Sequence, residues 1–109
     1  MLIGARYFGN AAAAVRAGGL FFLRVNSAAT VIYHRHTVLE VNRLGGVTIR
    51  YEEGPKQGLS VHFYSGAELL ARTDADFELV GDLREDVIHR TPPKTGSWAQ
   101  WEGIWARRG

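Results

Sequence analysis

Two long strands near the end of the chain constrain its fold more than any other feature. Within residues 77–90, four apolar residues occupy odd-numbered positions and so would lie on the same face of a strand: Phe77, Leu79, Leu83 and Val87. This pattern predicts a strand with that face turned inward. A second strand is predicted over residues 95–107, and it carries all three tryptophans: Trp98, Trp101 and Trp105. Between the strands lies Thr91-Pro92-Pro93-Lys94, and proline suits a hairpin tip because no ladder hydrogen bond is needed there. We therefore predict a long antiparallel hairpin.

Composition narrows the class of protein. The 109 residues suit one domain, and a 46% apolar content is ordinary for a globular chain. The net charge is only +2, and acidic residues are interleaved with the scattered arginines. No basic stripe follows, so we predict no nucleic-acid partner. The absence of cysteine excludes disulfides and thiolate chemistry and fits a cytoplasmic location. No apolar run reaches the ~20 residues of a membrane span, and we predict no membrane partner.

The first quarter of the chain predicts an arm, a helix and a strand. Residues 1–10 form the predicted N-terminal arm. The alanine-rich run 11–17 favours a helix, and Gly18-Gly19 ends it, because glycine accepts the left-handed conformation of a helix C-terminus. The four consecutive apolar residues Leu20-Phe21-Phe22-Leu23 predict a strand that is covered on both faces.

The middle of the chain gives shorter signals. β-Branched residues in the segment 26–40 favour a strand, although a helix stays open there. Residues 42–46 predict a turn, and the alternating segment 47–51 predicts a strand with one buried face. A short strand is expected over residues 60–63. Ser65 and Glu68 then match a capping box at the start of a helix over 66–72, which offers Leu69 and Leu70 to the core.

The motifs for chemistry are weak. His34 and His36 would share one face of a strand, which is the beginning of a metal site. The third and fourth ligands are missing from this pattern, and Glu40 and His62 are the candidates to supply them. No Gly-x-Ser-x-Gly elbow, dinucleotide fingerprint or phosphate loop is present. We therefore predict no catalytic, metal-binding or cofactor-binding residue, and no cofactor. Histidines and aromatic side chains are the candidates for a ligand or partner surface: Phe21, Phe22, Tyr33, His34, His36, His62, Tyr64, Trp98 and Trp101.

Taken in order, several segments resemble the C-terminal half of class I S-adenosylmethionine-dependent methyltransferases. The segment from Arg16 to Leu23 is similar to that family's helix, Gly-Gly turn and fifth strand. His62-Phe63-Tyr64-Ser65 with Glu68-Leu69-Leu70 resembles the approach to its last helix. Phe77 to Val80 resembles the sixth strand, and Trp98 to Trp105 resembles the seventh, antiparallel strand. The glycine-rich turn and the acidic residue that hold the methyl donor in that family have no counterpart here.

The resemblance implies an α/β fold, or α+β as a separate unit, that is half of a Rossmann-like sheet. We expect one domain over residues 1–109, methyltransferase-like from residue 11. Its mixed sheet would combine a short parallel part, the long hairpin and one or two short helices. The expected function is a non-catalytic binding or interaction module, since the donor-binding half is missing. The alternative is the acceptor-substrate half of a split methyltransferase, whose partner chain carries the N-terminal half.

The missing half also implies a partner for the strand near Leu20. In the complete family fold this strand is interior, whereas here one parallel neighbour is lost. An exposed apolar edge favours aggregation, so something is expected to cover it. A second copy is the simplest cover, because a two-fold interface uses the same patch twice. The N-terminal arm and a strand from residues 26–40 are the other candidates. We therefore expect a homodimer through the edge at Leu20 to Leu23.

Overall fold

The computed structural model describes residues 14–109, which form two three-stranded antiparallel sheets. The first sheet has β6 in its centre and consists of β1 (Leu20–Asn26), β5 (Phe77–His89) and β6 (Ser97–Arg107). The second sheet has β3 in its centre and consists of β2 (His36–Val41), β3 (Val47–Tyr51) and β4 (Ser60–Phe63). The helix α1 (Gly66–Thr73) connects β4 to β5.

The predicted α/β fold, with its parallel part and its half of a Rossmann-like sheet, is wrong. All strand pairs within both sheets are antiparallel, and the fold is largely β. The parallel contact in the described residues is a single bridge between Ser27 and Tyr64. The predicted C-terminal hairpin is present, because β5 and β6 pair over almost their whole length. β6 therefore supplies the backbone partner that β1 was expected to find in parallel neighbours.

Strand β1 is not covered on both faces, as the apolar run suggested. Leu23 is buried and Phe21 packs its ring against Phe77, with centroids 5.3 Å apart. Leu20 and Phe22 point to the opposite face and are exposed. The four apolar residues therefore alternate between a buried and an open face, as expected for an edge strand of an antiparallel sheet.

The segment 26–40, for which strand and helix were both open, is neither throughout. β1 ends at Asn26 and β2 begins at His36, and residues 27–35 between them form a loop. The loop is bridged to Tyr64, the residue after β4, and to Ser97 at the start of β6. The predicted arm and most of the predicted helix over 11–17 lie outside the described residues. Gly18 has the left-handed φ of 77° that the sequence indicated.

Helix α1 begins with half of the predicted capping box. The Ser65 hydroxyl accepts a hydrogen bond from the Glu68 backbone N–H at 3.0 Å, as an N-cap should. The Glu68 carboxylate binds other side chains instead of completing the box. Leu69 is 0% exposed, whereas Leu70 is 47% exposed, so only one of the two leucines reaches the core.

Two hydrophobic clusters lie on opposite sides of β6. The first core consists of Leu23, Tyr64, Leu69, Phe77 and Trp105. The second core consists of Ile49, Tyr51 and Phe63. Trp101 packs against the first core and Trp98 against the second, in agreement with their opposite parities on the strand. One strand thus contributes a large aromatic side chain to each cluster.

The two adjacent leucines of α1 provide a matched test of the first core. We expect Leu69→Ala to lower the free energy of unfolding by about 2–5 kcal/mol, because it opens a cavity. Leu70→Ala makes the same chemical change at an exposed position and should cost less than about 1 kcal/mol. Urea unfolding followed by tryptophan fluorescence measures both. Equal losses for the two variants would contradict this packing of the helix.

Candidate functional site

An open pocket of about 130 Å³ lies beside the second core. Its walls come from the loop 27–35, the end of β3, the loop 52–58, and the end of β5 and the start of β6 on either side of the hairpin turn. The lining residues are Thr30, Ile32, His34, Tyr51, Pro55, Lys56, Arg90 and Trp98. The pocket therefore collects side chains from segments that are far apart in the sequence.

The loop 27–35 is fixed to the start of β6. Val31 and Ser97 exchange both backbone hydrogen bonds at 3.0 Å. The Thr30 hydroxyl donates to the Ala99 carbonyl and accepts from its N–H, each at 3.0 Å. Gly96 has a φ of 90° and lies against the Val31 carbonyl, where a Cβ would clash. Close backbone approach at this glycine therefore places the loop over Trp98.

The loop 52–58 forms the opposite wall. Its first residue, Glu52, donates its backbone N–H to the Arg35 carbonyl at 2.9 Å. Gly54 has a φ of 83°, and a Cβ there would come within 2.9 Å of the His34 ring. The absence of a side chain at Gly54 thus allows the imidazole to lie on the loop backbone. Lys56 follows two residues later and reaches the pocket.

The pocket is basic and is walled by aromatic rings. The Lys56 ammonium lies 5.1 Å from the centroid of the Trp98 ring and 5.7 Å from that of Tyr51. The Arg90 guanidinium lies 5.8 Å from the ring of Tyr33 at the pocket margin. These distances are within the range of cation–π attraction. None of the described lining residues is acidic, so the positive charges are not neutralised within the pocket.

Arg90 carries the least satisfied polar atom of the site. Its Nε is buried and has no hydrogen-bond partner among the described residues. Leaving a buried donor unpaired costs about 1–3 kcal/mol, and more for a charged group. Buried donors in folded proteins are nearly always paired with protein, water or a ligand. Arg90 therefore combines a buried, unpaired Nε with a side chain that lines the open pocket.

Tyr51 lines the pocket, and the pKa of its phenol depends on the charge of Arg90. Burial raises the pKa of the Tyr51 phenol above its ordinary value of 10.0, and the nearby positive charge of Arg90 opposes this by lowering the pKa. The net pKa remains raised, so the phenol is neutral at physiological pH. Tyr51 is thus a hydrogen-bonding group that adds no negative charge to the site.

A second polar cluster surrounds Glu68, whose side chain is 0% exposed. Its carboxylate accepts hydrogen bonds from Asn42 at 2.9 Å and from the Arg72 Nη2 at 3.0 Å. The Nε2 atom of His62 lies 2.8 Å from it, and the Nδ1 atom lies 2.7 Å from the Thr48 hydroxyl.

The Glu68 cluster contains the order of groups used to activate a nucleophile: hydroxyl, imidazole and carboxylate. Unlike the unpaired Arg90 Nε of the pocket, the Glu68 carboxylate has hydrogen-bond partners within the protein, from three side chains. None of these residues lines the pocket. We therefore interpret the Glu68 cluster as structural, joining α1 to the second sheet.

The nine residues predicted for a ligand or partner surface do not form one site. His34 and Trp98 line the pocket, and Tyr33 lies at its margin. His36 binds the His34 carbonyl through Nδ1, and His62 belongs to the Glu68 cluster. The others lie on either face of the first sheet or in its core: Phe21, Phe22, Tyr64 and Trp101. Sequence reasoning missed Tyr51, Lys56 and Arg90.

Comparison with known proteins gives no assignment. No family model, curated protein or solved structure matches the chain. Descent from a methyltransferase therefore stays a prediction. In residues 14–109, no group of three or more histidine, aspartate or glutamate side chains is placed to hold a metal ion. Within the same range, no helix has both the length and the apolar content for a membrane crossing.

Alkaline titration tests the placement of Arg90 beside Tyr51. Because folding raises the Tyr51 pKa, its contribution to stability is complete below the unfolded pKa of about 10 and disappears as pH rises through the folded pKa. We expect the free energy of unfolding to fall above about pH 10 in the wild type, and to fall less in Tyr51→Phe. Arg90→Gln should raise the Tyr51 pKa further. Ultraviolet difference spectra, assigned with Tyr51→Phe, measure this shift, and an unchanged or lower pKa in Arg90→Gln would contradict the geometry.

Proposed function

We propose that this chain is a non-catalytic binding module whose pocket takes a small ligand or side chain carrying one flat ring and one carboxylate or phosphate. The observation that carries the proposal is the buried, unpartnered Nε of Arg90 in a pocket without acidic lining. A guanidinium presents its N–H groups in a fixed planar fork, which matches the geometry of an oxyanion. An incoming anion would therefore pair with the guanidinium at the pocket wall and neutralise the local charge.

Charge and hydrogen bonding favour an anion over a neutral ligand. Arg90 and Lys56 both line the pocket, and Tyr51 remains protonated. The Glu53 carboxylate lies 4.0 Å from the His34 Nδ1 atom, but Glu53 is not part of the lining. A neutral ligand would leave the two cations without a counter-charge, whereas an oxyanion pairs with them in a partly desolvated site.

Size and wall chemistry favour a single ring. The pocket volume of about 130 Å³ is below the roughly 300–1,000 Å³ of sites for drug-sized ligands. It is close to the ~150 Å³ of an apolar cavity that holds benzene. Trp98 and Tyr51 offer aromatic surfaces, and Ile32 and Pro55 are apolar. One ring can stack against these walls while its anionic substituent meets the cations.

The other hypothesis from the sequence is the acceptor half of a split methyltransferase. It requires a partner chain with a glycine-rich nucleotide-binding half, and it stays a prediction. Co-purification from the native host distinguishes it from the binding-module proposal, because only the split enzyme needs such a partner. Binding of the methyl donor, S-adenosylmethionine, by the isolated chain would contradict both hypotheses.

Small probe molecules test the proposed ligand class directly. We expect benzoate and phenyl phosphate to bind with a dissociation constant on the order of 1 mM, since few atoms are in contact. Benzamide has the ring of benzoate without its charge and should bind at least about tenfold more weakly, because the charge-assisted hydrogen bonds are lost. NMR titration should show shifts of the Trp98 indole and the His34 ring.

Arginine variants show whether Arg90 is responsible. Arg90→Gln should reduce benzoate affinity about tenfold or more, and Arg90→Lys, which retains the charge but loses Nε, should lie between. Arg43→Gln is the matched control, because Arg43 is exposed and lies outside the pocket. Equal binding of benzoate and benzamide would refute the anion preference. Equal losses in the Arg43 and Arg90 variants would show a nonspecific charge effect.

A further inference from the structure

The outer face of the first sheet carries an exposed apolar row across all three strands. Ile104 on β6 is paired with Phe22 on β1 and with Val80 on β5, so the three side chains lie side by side on one face. Their exposed fractions are 58% for Phe22, 42% for Ile104 and 49% for Val80. The opposite face of the same strands packs into the first core. The row is therefore an open apolar surface and not part of that core.

Charged side chains flank the apolar row in a self-complementary order. On one side of Val80 lies Glu78, paired across the sheet with the uncharged Ala106. On the other side lies Arg84, which is opposite Glu102 in the strand register. The Arg84 side chain is 70% exposed and forms an ion pair with Asp86 of the same strand at 3.7 Å. Glu102 already forms an ion pair with Arg24 on β1 at 2.8 Å. Strand β5 thus presents a negative and a positive residue at matching positions on either side of its apolar residue.

We propose that a second copy of this chain packs face to face on this sheet, with a two-fold axis along the row Phe22–Ile104–Val80. Rotation by 180° about this axis places the apolar row of one copy against the same row of the other. The strands of the second copy then run in the opposite direction. Glu78 of each copy then faces Arg84 of the other, which gives two equivalent ion pairs. The charge order favours a second copy, because the same surface supplies both halves of each pair.

This surface differs from the strand edge that the sequence suggested for a dimer. Edge pairing would use the backbone of β1 on the side away from β6, whereas the proposed interface uses side chains of β1, β5 and β6. Glu78 and Arg84 lie opposite Ala106 and Glu102, which are four residues apart on β6, so the three rows span roughly 13 Å by 14 Å at ordinary strand and residue spacings. This is smaller than the roughly 800 Å² per partner of a standard interface. We therefore expect a weak dimer, with a dissociation constant on the order of 100 µM.

Sedimentation equilibrium between about 10 µM and 1 mM measures the association, a range chosen to bracket the expected constant. The wild type should convert from monomer to dimer in this range. Glu78→Arg places like charges opposite each other and should weaken association at least about tenfold, as should Arg84→Glu. The double variant Glu78→Arg with Arg84→Glu exchanges the two charges and should restore association. A dimer held by the β1 edge would not respond to these changes.

An apolar variant and its control complete the test. Val80→Lys should give a monomer, whereas Val41→Lys changes an exposed valine of the second sheet and should leave association unchanged. Circular dichroism and benzoate binding by each variant check that the fold and the pocket remain intact. A wild type that stays monomeric to about 1 mM would overturn the proposal, since the face is then unoccupied or covered within one copy. So would a dimer that persists in both Glu78→Arg and Val80→Lys.

Discussion

Strand β6 forms hydrogen bonds along both of its edges, and the rest of the molecule is arranged around that double pairing. Its register with β1 and with β5 determines which side chains face which way. Because side chains alternate along a strand, one register sends Trp105 to the first core and Trp98 to the second. A slip of one residue would move both tryptophans to the wrong face. The backbone ladder therefore specifies the packing of two separate clusters.

The same strand positions the pocket. Ser97, at the beginning of β6, holds the loop 27–35, and the neighbouring end of β5 leads to Arg90. The contrast between two buried polar groups then defines which cluster is open to a ligand. The Glu68 carboxylate has its partners within the protein, whereas the Nε of Arg90 has none among the described residues. The partners of Glu68 stabilise the native state, whereas the Arg90 guanidinium at the pocket is the group that an incoming anion would bind.

Local sequence patterns predicted the elements well, and they failed where distant partners decide the outcome. The hairpin, β3, β4 and α1 were found within a few residues, because alternation and capping are properties of short segments. Sheet architecture was missed because an apolar run such as Leu20 to Leu23 looks the same whether one or both faces are covered. The parallel neighbours assumed from the family resemblance are absent from the described sheets.

The pocket was only partly predictable for the same reason. His34 and Trp98 were candidates because of their side-chain chemistry, but no local pattern joined them. Arg90 stood among other scattered arginines, and its burial depends on loops that are more than 30 residues away. Its one sequence signal was its place at the end of a strand before a proline turn. Three-dimensional surroundings, and not residue type, distinguish it from exposed arginines.

The Glu68 cluster also determines how the two sheets come apart. Its carboxylate links the helix to the turn before β3 and to β4, while α1 inserts Leu69 into the core of the other sheet. Detaching the helix would strip a charge of its partners and open that core in a single event. Unfolding of one sheet without the other is therefore disfavoured. Amide protons in the two sheets should exchange with solvent through one shared opening.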